Sequence, residues 1–463
     1  MTDSRFHGHA YATEESRRIF CDTCRMQRWL DVEAALALSQ ADVGLLPRET
    51  AEEIARAADL GRMDLDALAE NFRATNHSLV ALLRAHEAAC GAGAGEFVHY
   101  GATTQDIQDT AQTLEMRDVL DVVDRDVLGL VVVLRDLALL HRDRVMVGRT
   151  HGRPALPTTF GVKVAGWLDE LLRQAARVDA MRERALVAQL FGGVGTMAGF
   201  HGRGPRLLEC FADRLGLGVP ATSWHASRDR VAEYVTCLAM LTGTLARIAD
   251  EIRTLGRPEL GELEEGWSPG RVGSSTMPHK RNPEACQQVV VLARLARVDA
   301  TLALEGLVVE HERDSRGLRL EWVAVADVSH YTLTGLRIVA EVLDGLRVHT
   351  DRMAEGAKAR AEEICTEPLM LALGRHMGKQ SAYALVYALS QQARDEGRSL
   401  RTGVSRHPQV RMHLGDEELD RIFDPARQVG DAATLVNRVV ERADLWLRQR
   451  AATGSRPSTS PDR

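Results

Sequence analysis

Three polar stretches and one histidine on a helical pattern hold the side chains that could do chemistry in this chain. The stretch VGSSTMPHKRNPEACQQ, Val272–Gln288, crowds two serines, two prolines, a histidine, a lysine and an asparagine between helical patterns. By itself it reads equally well as a surface loop with a helix cap or as a site. EFVHYGATTQDIQDTAQ sets Gly101, Thr103, Thr104 and Gln105 just ahead of a long apolar-periodic segment. Hydroxyls and unpaired N–H groups at a helix start make a cradle for a carboxylate, although Thr103 or Thr104 as a simple N-cap is the plainer reading. VGRTHGRPALPTTFG puts His151 behind Arg149 and Thr150 and ahead of two prolines, as a proton donor or as a loop residue. FRATNHSLVALLRA interrupts a helical pattern with Asn76, His77 and Ser78, where a lone histidine is more often structural.

The elements that must position these residues are helices. Apolar residues recur at i, i+3, i+4 and i+7 nearly everywhere, and strand-like alternation is almost absent. The patterns predict long helices over Asp106–Arg142, Gly161–Leu190, Val231–Leu255 and Pro283 to about Val309. Helices of that length bury their stripes only against one another, which implies a long bundle. Shorter helices with turn signals flank it, so the division expected is residues 1–105, a central bundle over 106–345, a C-terminal domain over 346–453 and a disordered polar tail over 454–463.

Bulk properties exclude several classes. A chain of 463 residues with 45% hydrophobic content can bury a large core, and a net charge of -7 with interspersed signs points away from nucleic acid and membrane surfaces. No basic, apolar leader opens the sequence, so a cytoplasmic enzyme is expected. Seven scattered cysteines are too few for a disulfide scaffold, and the lone Cys21–Cys24 CxxC is read as packed thiols. No metal or organic cofactor is indicated.

Taken together, the segments resemble the fumarase/aspartase superfamily in order and spacing. Gly273 to Pro283 is similar to its GSSxMPxKxNP signature, and GRTHG and GATTQDIQDTA look like its two other active-site segments. The resemblance spans roughly Ala10–Arg442. It implies an all-α, L-aspartase/fumarase-like three-domain fold with a central long-helix bundle, assembled as a homotetramer whose active sites each draw on three subunits. It also implies anti β-elimination from a small dicarboxylate. Ser274 then matches the base that takes the proton beside a carboxylate, which requires donors to stabilise its oxyanion and the aci-carboxylate that forms. Lys280 and Asn282 would hold one carboxylate, and Thr103, Thr104 and Gln105 the other. His151 and His77 match histidines that serve the leaving group; Thr150, Ser275 and Met277, which fall in the same segments, and Arg313, in the stretch EHERDSRGLRLEW, would line the substrate. The Gly- and Pro-rich surroundings of Ser274 suit a lid, with ELEEGWSPGRVG as its hinge.

Departures narrow the substrate. Adenylosuccinate lyases carry an Arg-Tyr pair near the N-terminus for the nucleotide phosphate, whereas this chain reads Ala10-Tyr11. In EHERDSRGLRLEW, Leu318 and Trp322 stand where those lyases place a phosphate-binding serine and arginine, a loss of charge-assisted bonds worth about 1.5–3 kcal/mol each. The same stretch looks like 3-carboxy-cis,cis-muconate cycloisomerases, which typically lack the histidine found here as His151. Many relatives place a glutamate seven residues after the signature lysine; here that position is Gln287, which suits a leaving group needing little acid help. The reading expected is therefore a carbon–nitrogen lyase releasing fumarate from a small non-nucleotide substituted succinate such as nitrosuccinate. The alternatives are a lactonising cycloisomerase and adenylosuccinate lyase itself.

Overall fold

A computed structural model describes residues 1–91, 93–267 and 270–453; the tail expected to be disordered lies outside them. The N-terminal region folds as α1 (Glu14–Phe20), α2 (Asp22–Asp42), α3 (Arg48–Ala57), α4 (Leu65–Thr75) and α5 (Val80–Ala89). Long helices follow: α6 (Thr104–Leu140), α7 (Phe160–Ala185), α9 (Asp229–Leu255), α10 (Glu284–Glu305) and α11 (Ser315–Asp344), with the short α8 (Gly204–Leu215) between α7 and α9. Eight further helices lie between Thr350 and Thr453.

The helical periodicity located α6 to within two residues at each end. It ran α7 too far, because Leu186–Leu190 leave the helix. In that stretch Ala188 N–H reaches the Gly218 carbonyl, and the Gln189 amide bonds the Thr110 hydroxyl. It passed over α11, whose first turns lie in the charged EHERDSRGLRLEW run.

The near-absence of strands needs one correction. Val145–Thr150 (β1) and Arg153–Thr159 (β2) form an antiparallel hairpin, with Thr150 opposite Arg153 and an irregularity between Val147 and Arg149. Its prolines and missing alternation hid it from a period-two reading. A second, two-residue pairing joins β3 (Leu263–Glu264) to β4 (Arg347–Val348).

Contacts group the chain into two units, each drawn from three stretches rather than from contiguous segments. Unit 1 comprises Met1–Val127, Gln174–Ala246 and Gln288–Ile338; unit 2 comprises Leu128–Arg173, Arg247–Gln287 and Val339–Arg463. In unit 1, Leu30, Leu36, Leu79, Leu82, Ile107, Phe200 and Phe211 form one core. In unit 2, Leu369, Leu373, Val404 and Val410 anchor a C-terminal core, and Val147 of β1 packs with Ala357, Ile364 and Cys365. Helix α9 is long and apolar enough to cross a bilayer, but it is mostly buried within the protein.

The packed-thiol reading of the CxxC is also overturned, since Cys21 and Cys24 form a disulfide with their Cα atoms 5.3 Å apart. Cys21 is the N-cap of α2 and takes the Cys24 N–H at its sulfur, so the first helical turn brings the two side chains together.

Candidate active site

The signature loop lies in unit 2. Ser274 is half-buried, and its Oγ accepts the backbone N–H of Met277 at 3.0 Å and of Thr276 at 3.3 Å. Two donors already aimed at this oxygen are what an alkoxide or a deprotonating serine requires. The loop is drawn tight around it. A Cβ on Gly273 would fall 2.0 Å from the Lys280 carbonyl, so only glycine fits there. Asn282 donates its amide to the Gly273 carbonyl at 2.7 Å, which commits one of the two hydrogens expected to hold a carboxylate. Ser275 and Lys280 are exposed, as is Met277 at 42%.

The ends of the loop are pinned. Glu264 pairs with Arg281 at 2.8 Å. Glu265, 8% exposed, takes Arg271 on one oxygen and the Cys286 N–H at the start of α10 on the other. Trp267 lies against both guanidiniums, with Arg271 at 5.0 Å and Arg281 at 5.4 Å from its ring. Of the expected hinge, Ser268 and Pro269 lie outside the described residues, and its described flanks carry these ion pairs.

His151 occupies the tip of the β1–β2 hairpin, not an irregular loop. It and Gly152 form a two-residue turn with φ of 52° and 74°. Positive φ at both central residues is the geometry that matches strand twist, at a cost of about 1–2 kcal/mol for a residue bearing a Cβ. A histidine held there, exposed and without a hydrogen bond among the described residues, is strain placed at a tip that presents the imidazole outward. Thr150 beside it is exposed as well. The hairpin is tied down by Arg149, whose two terminal nitrogens reach the Glu262 carboxylate at 3.0 and 2.7 Å. Glu262 is 2% exposed. It opens the segment that runs into the signature loop, so one ion pair fixes the base of both candidate segments of unit 2.

The remaining candidates lie in unit 1. Arg313 donates to the Thr103 Oγ1 at 2.7 Å, which sets a guanidinium beside the start of α6. The threonine hydroxyl therefore does not serve as the helix cap that the plainer reading expected. That duty falls to Asp106, fully buried, whose Oδ2 takes the Thr103 N–H at 3.0 Å and the Gly192 N–H at 2.9 Å. Its Oδ1 takes the Phe191 N–H and lies 2.9 Å from His225 Nε2. Thr104 is half-exposed at the first position of α6.

Gln105 is 3% exposed, and its amide donates to Asp109 and to the His225 carbonyl. The amide expected to grip a carboxylate lies instead in the core, about 100° around the helix from Thr104, on Asp109 and the His225 carbonyl. One helical turn further, buried Arg228 bridges Asp109 and Glu321. Burial works against the Arg228 charge, but the two carboxylates outweigh it and hold its pKa above the ordinary value. Burial raises the Glu321 pKa, with Arg228 opposing.

His77 Nδ1 accepts the N–H groups of Leu79 and Val80, both at 3.2 Å, and so caps α5. That fixes the proton on Nε2, the ring nitrogen left to face outward from an exposed side chain. The structure thus gathers Thr103, Thr104 and Arg313 in one unit, and Ser274, Lys280 and Asn282 on one loop of the other. The anchors Asp106, Glu262 and Glu265 were missed. Only Asp106 had a sequence signal, as the acidic fourth residue of Thr103-x-x-Asp106 ahead of an apolar run.

Comparisons with known proteins identify the family. A family model described as "Lyase" matches residues 8–297, and one described as "Adenylosuccinate lyase C-terminus" matches residues 363–439. The chain is 38% identical over 444 residues to the N-acetyl-S-(2-succino)cysteine lyase of Dickeya dadantii, covering 96% of this chain and 98% of that one. It is 38% identical over 440 residues to the adenylosuccinate lyase of Methanothermobacter thermautotrophicus, covering 94% and 98%. Among solved structures, the 3-carboxy-cis,cis-muconate lactonizing enzyme from Pseudomonas putida matches with a TM-score of 0.88 at 32% identity, over 96% of this chain and 100% of that one. With a family model across more than half its length and relatives matched nearly end to end, this chain belongs to the fumarase/aspartase superfamily of lyases.

Proposed function

We propose that this chain eliminates a small, non-nucleotide group from carbon 2 of a substituted succinate and releases fumarate, acting as a homotetramer that completes each site from three subunits. The observation that carries this reading is the pair of N–H donors on Ser274 Oγ. Ser274 takes the proton from the carbon beside one carboxylate, and the charge passes into that carboxylate. The bond from the neighbouring carbon to the leaving group then breaks, and its electron pair departs with the leaving atom. Lys280 offers charge to the carboxylate that gains it, while Thr103, Thr104 and Arg313 hold the other.

The leaving group is proposed to be one that is stable as an anion. Gln287, exposed on the first turn of α10, cannot raise the basicity of a neighbouring histidine by charge. A thiolate, of ordinary pKa about 8.5, or nitrite departs with little protonation, whereas an amine relies on His151 or His77. The two succinocysteine-lyase relatives, each 38% identical, favour an N-acylated cysteine thiol bonded through sulfur. Nitrosuccinate is the nitrogen-bonded counterpart that the sequence suggested.

A nucleotide fits less well. Trp322 lines a small cavity with Arg25, and that guanidinium is already taken by both oxygens of Glu115, at 2.9 and 3.1 Å. Purified protein is to be mixed with N-acetyl-S-(2-succino)cysteine, nitrosuccinate, adenylosuccinate and 3-carboxymuconate while fumarate is followed in the ultraviolet. Fumarate from the first or second supports the reading. Turnover of carboxymuconate alone would replace it with cycloisomerisation, and full activity in Ser274→Ala would remove the base.

A further inference from the structure

Unit 1 contains a cavity of about 170 Å³ between α2, α6 and α11, walled by Met26, Trp29 and Trp322 and closed by Gln112 and the Arg25–Glu115 pair. Whole-ligand pockets measure roughly 300–1,000 Å³, so this one suits a chemical group of a few atoms. Arg25 and Glu115 are spent on each other, and the exposed Asp22 is the remaining charge of the lining, so nothing in it attracts an anion. Two indoles and a thioether give it apolar walls.

One polar side chain stands out against those walls. Gln112 is 4% exposed; its Oε1 has no partner, and its Nε2 has none at full hydrogen-bond distance, acting only as a weak donor that lowers the Glu321 pKa. One turn earlier Gln108 reaches the Ser78 carbonyl at 3.5 Å. A buried amide whose acceptor is unmet and whose donor is only weakly engaged is left under-satisfied, and a planar group offering one acceptor and one donor in return would relieve it. An acylamino group is such a partner.

The position fits as well. Gln112 is eight residues beyond Thr104 on α6, about 12 Å along the axis and about 80° around it. From the carboxylate on carbon 2, the one that Thr104 holds, to the acyl carbon of a succinylated N-acylcysteine is six bonds, about 8 Å extended, to which hydrogen bonds of about 3 Å are added at either end.

We propose that this cavity receives the acylamino group of the substrate's leaving arm, with Gln112 donating to the acyl carbonyl and accepting from the amide N–H between the rings of Trp29 and Trp322. The assignment rests on the substituted-succinate reading above and adds that the leaving group carries a neutral amide.

The test compares kcat/KM for N-acetyl-S-(2-succino)cysteine and for S-(2-succino)cysteine in wild type and in Gln112→Leu. Wild type is expected to prefer the acetylated substrate by at least about ten-fold, and Gln112→Leu to bring the ratio below about three-fold. In parallel, transfer of saturation to the acetyl methyl of N-acetyl-L-cysteine is read by NMR in both proteins. It is expected in wild type and lost in Gln112→Leu. The melting temperature of the variant is read alongside and both measurements are made where both proteins are folded, so a lost ratio is not a folding artefact. Equal use of both substrates by wild type, a ratio unmoved in Gln112→Leu, or no methyl transfer to wild type would overturn the assignment. Cleavage of neither substrate, with methyl transfer intact in wild type and absent in Gln112→Leu, would reject the elimination reading while the acyl site stands.

Discussion

Replacing Arg149 by methionine removes the guanidinium from Glu262 while keeping most of the side-chain volume. Glu262 is 2% exposed and both of its oxygens are held by Arg149, so the variant strands a buried carboxylate. Breaking a buried pair from one side costs about 3–5 kcal/mol. For a unit of roughly 200 residues, 1 kcal/mol moves the melting temperature by about 2–4 °C, which puts the expected drop at roughly 6–20 °C. The companion Arg149→Met/Glu262→Leu removes both charges, and its stability should return to within about 1 kcal/mol of wild type or exceed it. Scanning calorimetry at neutral pH reads both. Activity separates stability from placement: the double variant melts like wild type yet still lacks the tie that holds Thr150 and His151, so its kcat/KM stays low. A single variant that melts within 2 °C of wild type, or a double variant as unstable as the single, would refute the claim that this pair anchors the hairpin.

Three further outcomes are expected. Met277→Pro deletes one of the two donors on Ser274 Oγ and should lower kcat about 10- to 150-fold below Met277→Ala, which keeps that N–H; equal rates in the two would detach the donors from catalysis. Asp299 on α10 is 5% exposed with one oxygen unpartnered, and burial together with the Asp327 carboxylate raises its pKa to about 7. The folded chain holds that proton more tightly than the unfolded chain, so stability falls as pH rises from the ordinary aspartate range toward 7 and then levels; Asp299→Asn should raise the melting temperature at about pH 8 with a gain that shrinks toward about pH 4, and a pH-independent gain would contradict the assignment. Alkylation of the denatured, unreduced protein should modify five cysteines and spare Cys21 and Cys24, with all seven modified after reduction; seven before reduction would refute the disulfide.

How far the sequence could be read depended on the range of the interaction. Helix α6 was legible because 37 residues of apolar periodicity with no proline leave few alternatives. Ser274, Lys280 and Asn282 were legible as a set because one contiguous loop carries them. The roles of Gln105 and His77 were not, since each is decided by a contact that periodicity does not encode: the inward turn of the first α6 residues, and two N–H groups at the head of α5. Asp106 could have been found as the acidic fourth residue of a capping pattern, but not as the meeting point of Phe191, Gly192 and His225, which are more than 80 positions away. Glu262 and Glu265 looked like punctuation before a loop. Their burial, and hence their importance, is a property of what folds over them.

Asp106 also has a meaning for how this chain can change through evolution. Its carboxylate fixes the rotational phase of α6 at the third residue of the helix, with partners on the 190s segment and at His225. Each inserted residue beyond that point turns everything after it by 100° and advances it 1.5 Å, which would swing Gln108, Gln112 and Glu115 off their shared stripe. Side chains along the stripe can therefore diversify and retune what the protein accepts, while the number of residues between Asp106 and Glu115 stays fixed. Homologues should differ there by substitution, and length variation should collect ahead of Thr103.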